Sequence, residues 1–110
     1  MYKAGPLHVA KAELFRTLGH PARTRILELL RQGECSVGEL QAELGLDSGG
    51  TSQHLSALRR AGFVKSRRDG TSVYYSVEDE RVFTILTLAR EMIASSLEAQ
   101  RALLEELNQE

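Results

Sequence analysis

A single cysteine, Cys35, stands in the 110-residue chain, which rules out an intrachain disulfide framework. No apolar run approaches the roughly 20 residues that a bilayer-crossing helix needs. The first residues lack the apolar core of a secretion signal, so the cytoplasm is the expected compartment. The net charge is only −1, which excludes a chain that is basic throughout and wraps nucleic acid by charge alone. No nucleophile–base–orienter set and no glycine-rich phosphate loop can be picked out, and there is too little chain to enclose a substrate pocket. An enzyme is therefore not expected. From Val77 to Glu110 there is neither histidine nor cysteine. What remains is enough chain for one small core, and a single domain over residues 1–110 is expected.

The near-zero net charge hides an asymmetry. Between His54 and Tyr75 the charges are Arg59, Arg60, Lys65, Arg67 and Arg68 against Asp69 alone. From Ser76 onward Glu78, Asp79, Glu80, Glu91, Glu98, Glu105, Glu106 and Glu110 outweigh Arg81, Arg90 and Arg101. Positive charge gathers on one stretch, as phosphate contact would require.

That stretch lies within Leu40–Ser76, around which the rest of the chain is organised. Before it, Leu7, Ala10, Leu14 and Leu18 keep helical spacing after a lead-in at residues 1–6. Gly19 stops this helix and His20-Pro21 starts the next, where proline's missing N–H costs nothing. Ile26, Leu27, Leu29 and Leu30 give that second helix, to about Arg31, its core face. Glu34-Cys35 reads as an extended link. Ser36 and Glu39 form an S-x-x-E capping box for a third helix whose Val37, Leu40 and Leu44 point inward and which Gly45 ends. Asp47 or Ser48 caps a fourth helix with a buried stripe of Leu55, Leu58 and Ala61, which sends Ser52, Gln53, Ser56 and Arg59 or Arg60 elsewhere. After Gly62 two runs alternate around Asp69-Gly70, a strong hairpin signal. Helix, turn, helix and hairpin in this order describe a winged helix-turn-helix. From Glu78 one long helix to about Asn108 carries an apolar stripe near the 3.5-residue repeat, with Ser95-Ser96 open as a bend or break. A helix of this length needs a partner to bury its outer half, and a second copy of the chain is the simplest one. The expected fold is thus mainly α with a small β-hairpin. Residues 1–18 and 78–108 are the expected dimerisation helices, flanking the helix-turn-helix and wing at residues 20–76.

The segments LGHPARTRILELL, GECSVGELQAELGL and SQHLSALRRAGFVKSRRDGTSVYYSV together resemble the ArsR/SmtB family of bacterial winged-helix repressors, over roughly Phe15–Val77. The run from Ser52 through the Asp69-Gly70 wing is specific in combination, although each fragment alone is weak. The resemblance implies a homodimer that binds operator DNA and, in many members, releases it when a metal, an oxidant or another small effector binds. It places base reading on the fourth helix, with Ser48, Gly49, Thr51, Ser52 and Gln53 as candidate DNA contacts. Gln can pair bidentately with adenine, and Ser reaches several base edges. Arg67 and Arg68 are candidates for phosphate or minor-groove contact at the wing tip, and Arg59, with Arg60, for proximity to DNA. His54 is open between a phosphate contact and a half-buried histidine that holds the helix to the body. Gly49-Gly50 is open between a first turn that orders on DNA and a glycine with positive φ that extends the preceding turn.

The departures from the family concern the effector. Metal-sensing members carry a thiolate motif resembling E-L-C-V-C-D-L; the aligned residues here place Ser36 and Gly38 at the ligand positions and Cys35 where the family has an apolar residue. The family's other sensing site uses Asp, His and Glu on the last helix, which here lacks histidine. Zinc and softer metals want imidazole or thiolate, so no metal site and no cofactor is expected. Cys35 has two readings, a small apolar filler or an oxidant sensor that lacks a resolving partner within the chain. A winged helix serving only protein–protein contact is the rival to DNA binding, because fold alone does not decide function.

Overall fold

The computed structural model describes residues 3–109, so part of the expected lead-in and Glu110 lie outside the described residues. The described chain divides after Glu80 into two compact units. The first holds α1 (Pro6–Leu18), α2 (Pro21–Leu29) with a 3₁₀ turn Leu30–Gln32, β1 (Cys35–Ser36), α3 (Val37–Leu44), α4 (Ser48–Arg60), β2 (Val64–Asp69) and β3 (Ser72–Val77). The second is the single helix α5 (Arg81–Asn108).

Local chemistry sets the helix limits of the first unit. His20 caps α2, its Nδ1 accepting from the Ala22 N–H at 3.1 Å. Ser36 and Glu39 form the reciprocal capping box at α3, the Ser36 Oγ accepting from Glu39 N–H at 3.1 Å and the Glu39 carboxylate from Ser36 N–H at 3.2 Å. Gly45 ends α3 in the left-handed conformation at φ 66°, where a side chain would be strained. Asp47 is the cap of α4, accepting from Gly50 N–H at 2.7 Å. The core is Leu18, Ile26, Leu27, Leu30, Leu40, Leu55, Leu58, Phe63 and Val64, drawn from α1, α2 and its 3₁₀ turn, α3, α4 and the start of β2.

Three features differ from expectation. The sheet has three strands, in the order β1-β3-β2, because Cys35 and Ser36 pair antiparallel with Tyr75 and Tyr74. Two residues are too few to show alternation, so this strand carried no sequence signal. The hairpin turns one residue later than Asp-Gly suggests: Asp69 pairs with Ser72, and Gly70 takes the first central position at φ 62°. Finally, Ala61, expected on the buried stripe of α4 with Leu55 and Leu58, is the residue after the helix's last turn and is exposed. The helix α1 buries only Leu18 of its apolar stripe; Leu7 and Phe15 are 63% and 61% exposed.

The helix α5 runs without interruption through Ser95-Ser96. It begins at Arg81, so Glu78, Asp79 and Glu80 precede it rather than fill its first turn. Met92, Ile93, Leu97, Leu103, Leu104 and Leu107 along it are all exposed, Met92 to 73%. Among the described residues no helix is long and apolar enough to cross a membrane.

Candidate nucleic-acid interface

The helix α4 has two faces of opposite chemistry. Thr51, Leu55 and Leu58 are buried on one side. Ser48, Gly49, Ser52, Gln53, Ser56, Arg59 and Arg60 are exposed. The i, i+4 ladder Ser52-Ser56-Arg60 and the pair Gln53-Ala57 line an open groove of about 500 Å³, whose remaining wall is Arg23 from α2. Ser52 also borders a second concavity of about 440 Å³, shared with Ser36, Val37 and Gly38 at the start of α3 and with Thr71, Ser72 and Val73 of the wing. The polar face of α4 is thus flanked by a groove on either side, with no carboxylate lining either one.

Thr51 corrects the sequence expectation. Its side chain is fully buried and its hydroxyl donates to the Asp47 carbonyl at 2.9 Å, so it has no surface to offer a base edge. The spacing 51-55-58 puts it on the helix's inner stripe, a signal that was present in the sequence. Gly49 and Gly50 lie in the first turn of α4, and neither has positive φ, which removes the turn-extension reading.

The two wing arginines do not stand together at a tip. They are neighbours on one strand and so project to opposite faces of the sheet. Arg67 pairs with Tyr74 across the ladder, lays its guanidinium 4.7 Å from that ring's centroid, and grips the Glu34 carboxylate through both Nε (2.9 Å) and Nη2. The hydrogen bond from Arg67 holds the Glu34 carboxyl below the ordinary carboxylate range. Arg67 thereby ties the wing to the segment ahead of α3. Arg68, opposite Val73, is exposed and forms no ion pair among the described residues.

His54 is half-buried, its ring centroid 4.2 Å from that of His20 and tilted 48° to it. Its Nδ1 accepts from Arg23 Nε at 3.2 Å. Burial, then the neighbouring His20 and Arg23, hold its pKa below the usual imidazole value, so the ring is kept neutral. Sequence reasoning passed over Arg23, whose partner lies 31 residues away. One signal was available: a cation in the first turn of a helix opposes the helix dipole, so Arg23 gains nothing there from α2 itself.

Cys35 is half-buried, and burial, aided by Glu39 and Glu43, pushes its thiol pKa up. The Ser36 hydroxyl is engaged in the α3 cap, and Gly38 has no side chain to offer. Among the described residues no group of three or more His, Cys, Asp or Glu side chains converges to hold a metal ion.

A capped helix-turn-helix with a polar outer face and a basic hairpin beside it defines a winged helix-turn-helix regulator that binds DNA. The comparisons agree. Residues 20–66 match the family described as "Bacterial regulatory protein, arsR family". The HTH-type transcriptional regulator Rv0081 of Mycobacterium tuberculosis is 48% identical over 103 residues, covering 93% of this chain and 90% of the relative. Its crystal structure superposes with a TM-score of 0.82 at 47% identity, over 88% of this chain and 98% of that one. A homodimeric winged helix-turn-helix DNA-binding domain from Mycobacterium bovis, Mb0332, superposes with a TM-score of 0.74 at 30% identity, covering 89% and 94% of the two chains. The chain belongs to the ArsR family of bacterial transcription regulators and is not an enzyme.

Proposed function

We propose that the protein is a homodimeric repressor that acts in the cytoplasm and binds an inverted-repeat operator, with α4 of each copy in a major groove and the wing beside it. The observation that carries this reading is the exposed face of α4, polar along its length, basic in its last turn and free of carboxylates, which lines two open grooves. Gln53 and Ser52 are the base readers, with Ser48 and Gly49 at the helix start close to the backbone. Arg59 and Arg68 supply phosphate contacts, and Arg67 sets the wing's position through Glu34.

The dimer reading rests on the unpartnered apolar side chains of α1 and α5. A large apolar side chain gains about 1.5–3 kcal/mol when it becomes fully buried. Association costs an estimated 4–15 kcal/mol, so burial of several of these residues from each copy suffices. The M. bovis relative, described as homodimeric, supports the same reading. Neither family metal site has its ligands in this chain, so the effector, where one acts, is not a metal held there. A redox role for Cys35 is disfavoured, because the raised pKa keeps the thiol protonated and the thiolate is the reactive form.

The test is retardation of the promoter duplex upstream of the protein's own gene, with salt titration against a random duplex. Tighter binding to the promoter than to the random duplex, weakening steeply with salt, is expected. Equal and feeble binding to both would overturn the proposal.

A further inference from the structure

We infer that Arg23 is an additional DNA-phosphate contact and that His54 is the positioning residue that aims it. The inference rests on the DNA-binding reading above and extends the interface beyond the helix-turn-helix and wing to the start of α2. Arg23 forms one wall of the groove whose other lining residues are the exposed side chains of α4, and Arg60 lines the same groove. Two cations facing a concavity without carboxylates are complementary to a phosphate backbone running along it.

The guanidinium of Arg23 is fixed from behind. Its Nε donates to His54 Nδ1 at 3.2 Å and its Nη1 to the Thr17 carbonyl at 3.4 Å. Among the described residues no carboxylate pairs with it, so Nη2 carries donors that no protein acceptor takes up. Its place in the first turn of α2 adds an electrostatic cost that an anion would relieve. An arginine held by two bonds and left with an unused edge is pre-organised for a ligand, because less side-chain freedom remains to be lost on binding. His54 can serve as the acceptor only while neutral, and its surroundings keep it so. With Nδ1 taken by Arg23 and one ring face against His20, its contribution passes through the arginine.

Four variants of the full chain test this on the promoter duplex and a random duplex: Arg23→Ala, His54→Phe, His54→Asn and the double variant Arg23→Ala/His54→Phe. Arg23→Ala is expected to weaken both duplexes alike and to lower the slope of log affinity against log salt by about 1.8, the share of two phosphate contacts, one from each copy of the dimer. Between 50 and 200 mM salt the wild type then loses about 12-fold more affinity than the variant. His54→Phe keeps an aromatic ring beside His20 but removes the acceptor, and is expected to lower the slope in the same sense. His54→Asn returns an acceptor and is expected to restore part of it, and the double variant is expected to match Arg23→Ala. An unchanged slope in Arg23→Ala would overturn the inference, including the case of an early thermal melt with weaker binding. A further loss in the double variant would give His54 a DNA contact of its own and overturn its positioning role. If the wild type retains neither duplex, the DNA-binding reading falls and takes this inference with it; if the wild type binds and only the slopes stay unchanged, the inference alone falls.

Discussion

Gly49 and Gly50 are adjacent in the first turn of α4, yet alanine should act differently at the two. A Cβ on Gly49 would meet only the Asp47 Oδ1 at 3.8 Å, an ordinary van der Waals contact. Neither residue has positive φ, so alanine is unstrained at this backbone and stabilises by about 0.4–1 kcal/mol, chiefly by restricting the unfolded chain. A Cβ on Gly50 would sit 3.1 Å from the same oxygen, which is the atom that accepts the Gly50 N–H at 2.7 Å. The carboxylate has to give way, and losing an N-cap costs about 0.5–2 kcal/mol against a similar propensity gain of up to about 1 kcal/mol. Gly49→Ala should therefore raise the melting temperature by about 2–6 °C, with Gly50→Ala between a small gain and a clear loss, always below Gly49→Ala. Thermal melts at equal protein concentration decide it, since the midpoint of a dimer depends on concentration. A lower melting temperature for Gly49→Ala, or a rise for Gly50→Ala as large as that for Gly49→Ala, would refute the assignment of a tight Asp47 cap on an ordered first turn.

Further outcomes follow from the same geometry. Gln53→Ala should cost about 1–3 kcal/mol per half-site of the operator and little on random DNA in a binding titration; equal losses on both would move base reading to Ser52 and its neighbours. Arg68→Ala should lower the salt slope by about 1.8, one contact from each copy of the dimer, whereas Arg67→Ala should change it less, because that guanidinium is already held by Glu34. Deleting the chain from Ser95 onward removes Leu97, Leu103, Leu104 and Leu107 and should weaken or abolish dimerisation in sedimentation. His54 titrates below the ordinary imidazole value in the folded chain, so its contribution to stability is full above that value and is lost as pH falls through the lowered pKa. The stability gap between wild type and His54→Phe should accordingly narrow as pH drops from about 7.5 to 5, as followed by denaturant unfolding.

The features visible in the sequence are those governed by neighbours along the chain. The Ser36–Glu39 capping box, the Gly45 stop, the Asp47 cap and the inward Leu55 and Leu58 of α4 each need residues only three or four apart, and all are present in the fold. The exposed apolar side chains of α1 and α5 were legible as stripes. What sequence did not reveal depends on distant partners. Glu34 and Arg67 are 33 residues apart, and Arg23 and His54 are 31 apart, so nothing local shows that one wing arginine is engaged while an arginine of α2 joins the groove. The two-residue strand Cys35–Ser36 exists only because β3 offers it an edge. Thr51 is the exception: helical periodicity alone places it with Leu55 and Leu58, and resemblance to a recognition motif drew it outward.

The central claim, that two copies of α4 read an inverted repeat, is tested most directly by a hydroxyl-radical footprint on the protein's own promoter, with complex stoichiometry from sedimentation. The account predicts two protected patches on one face of the duplex, centred roughly 34 Å or about 10 base pairs apart, with two chains bound per site. A single protected half-site occupied by one chain, or uniform protection that ignores sequence, would contradict it.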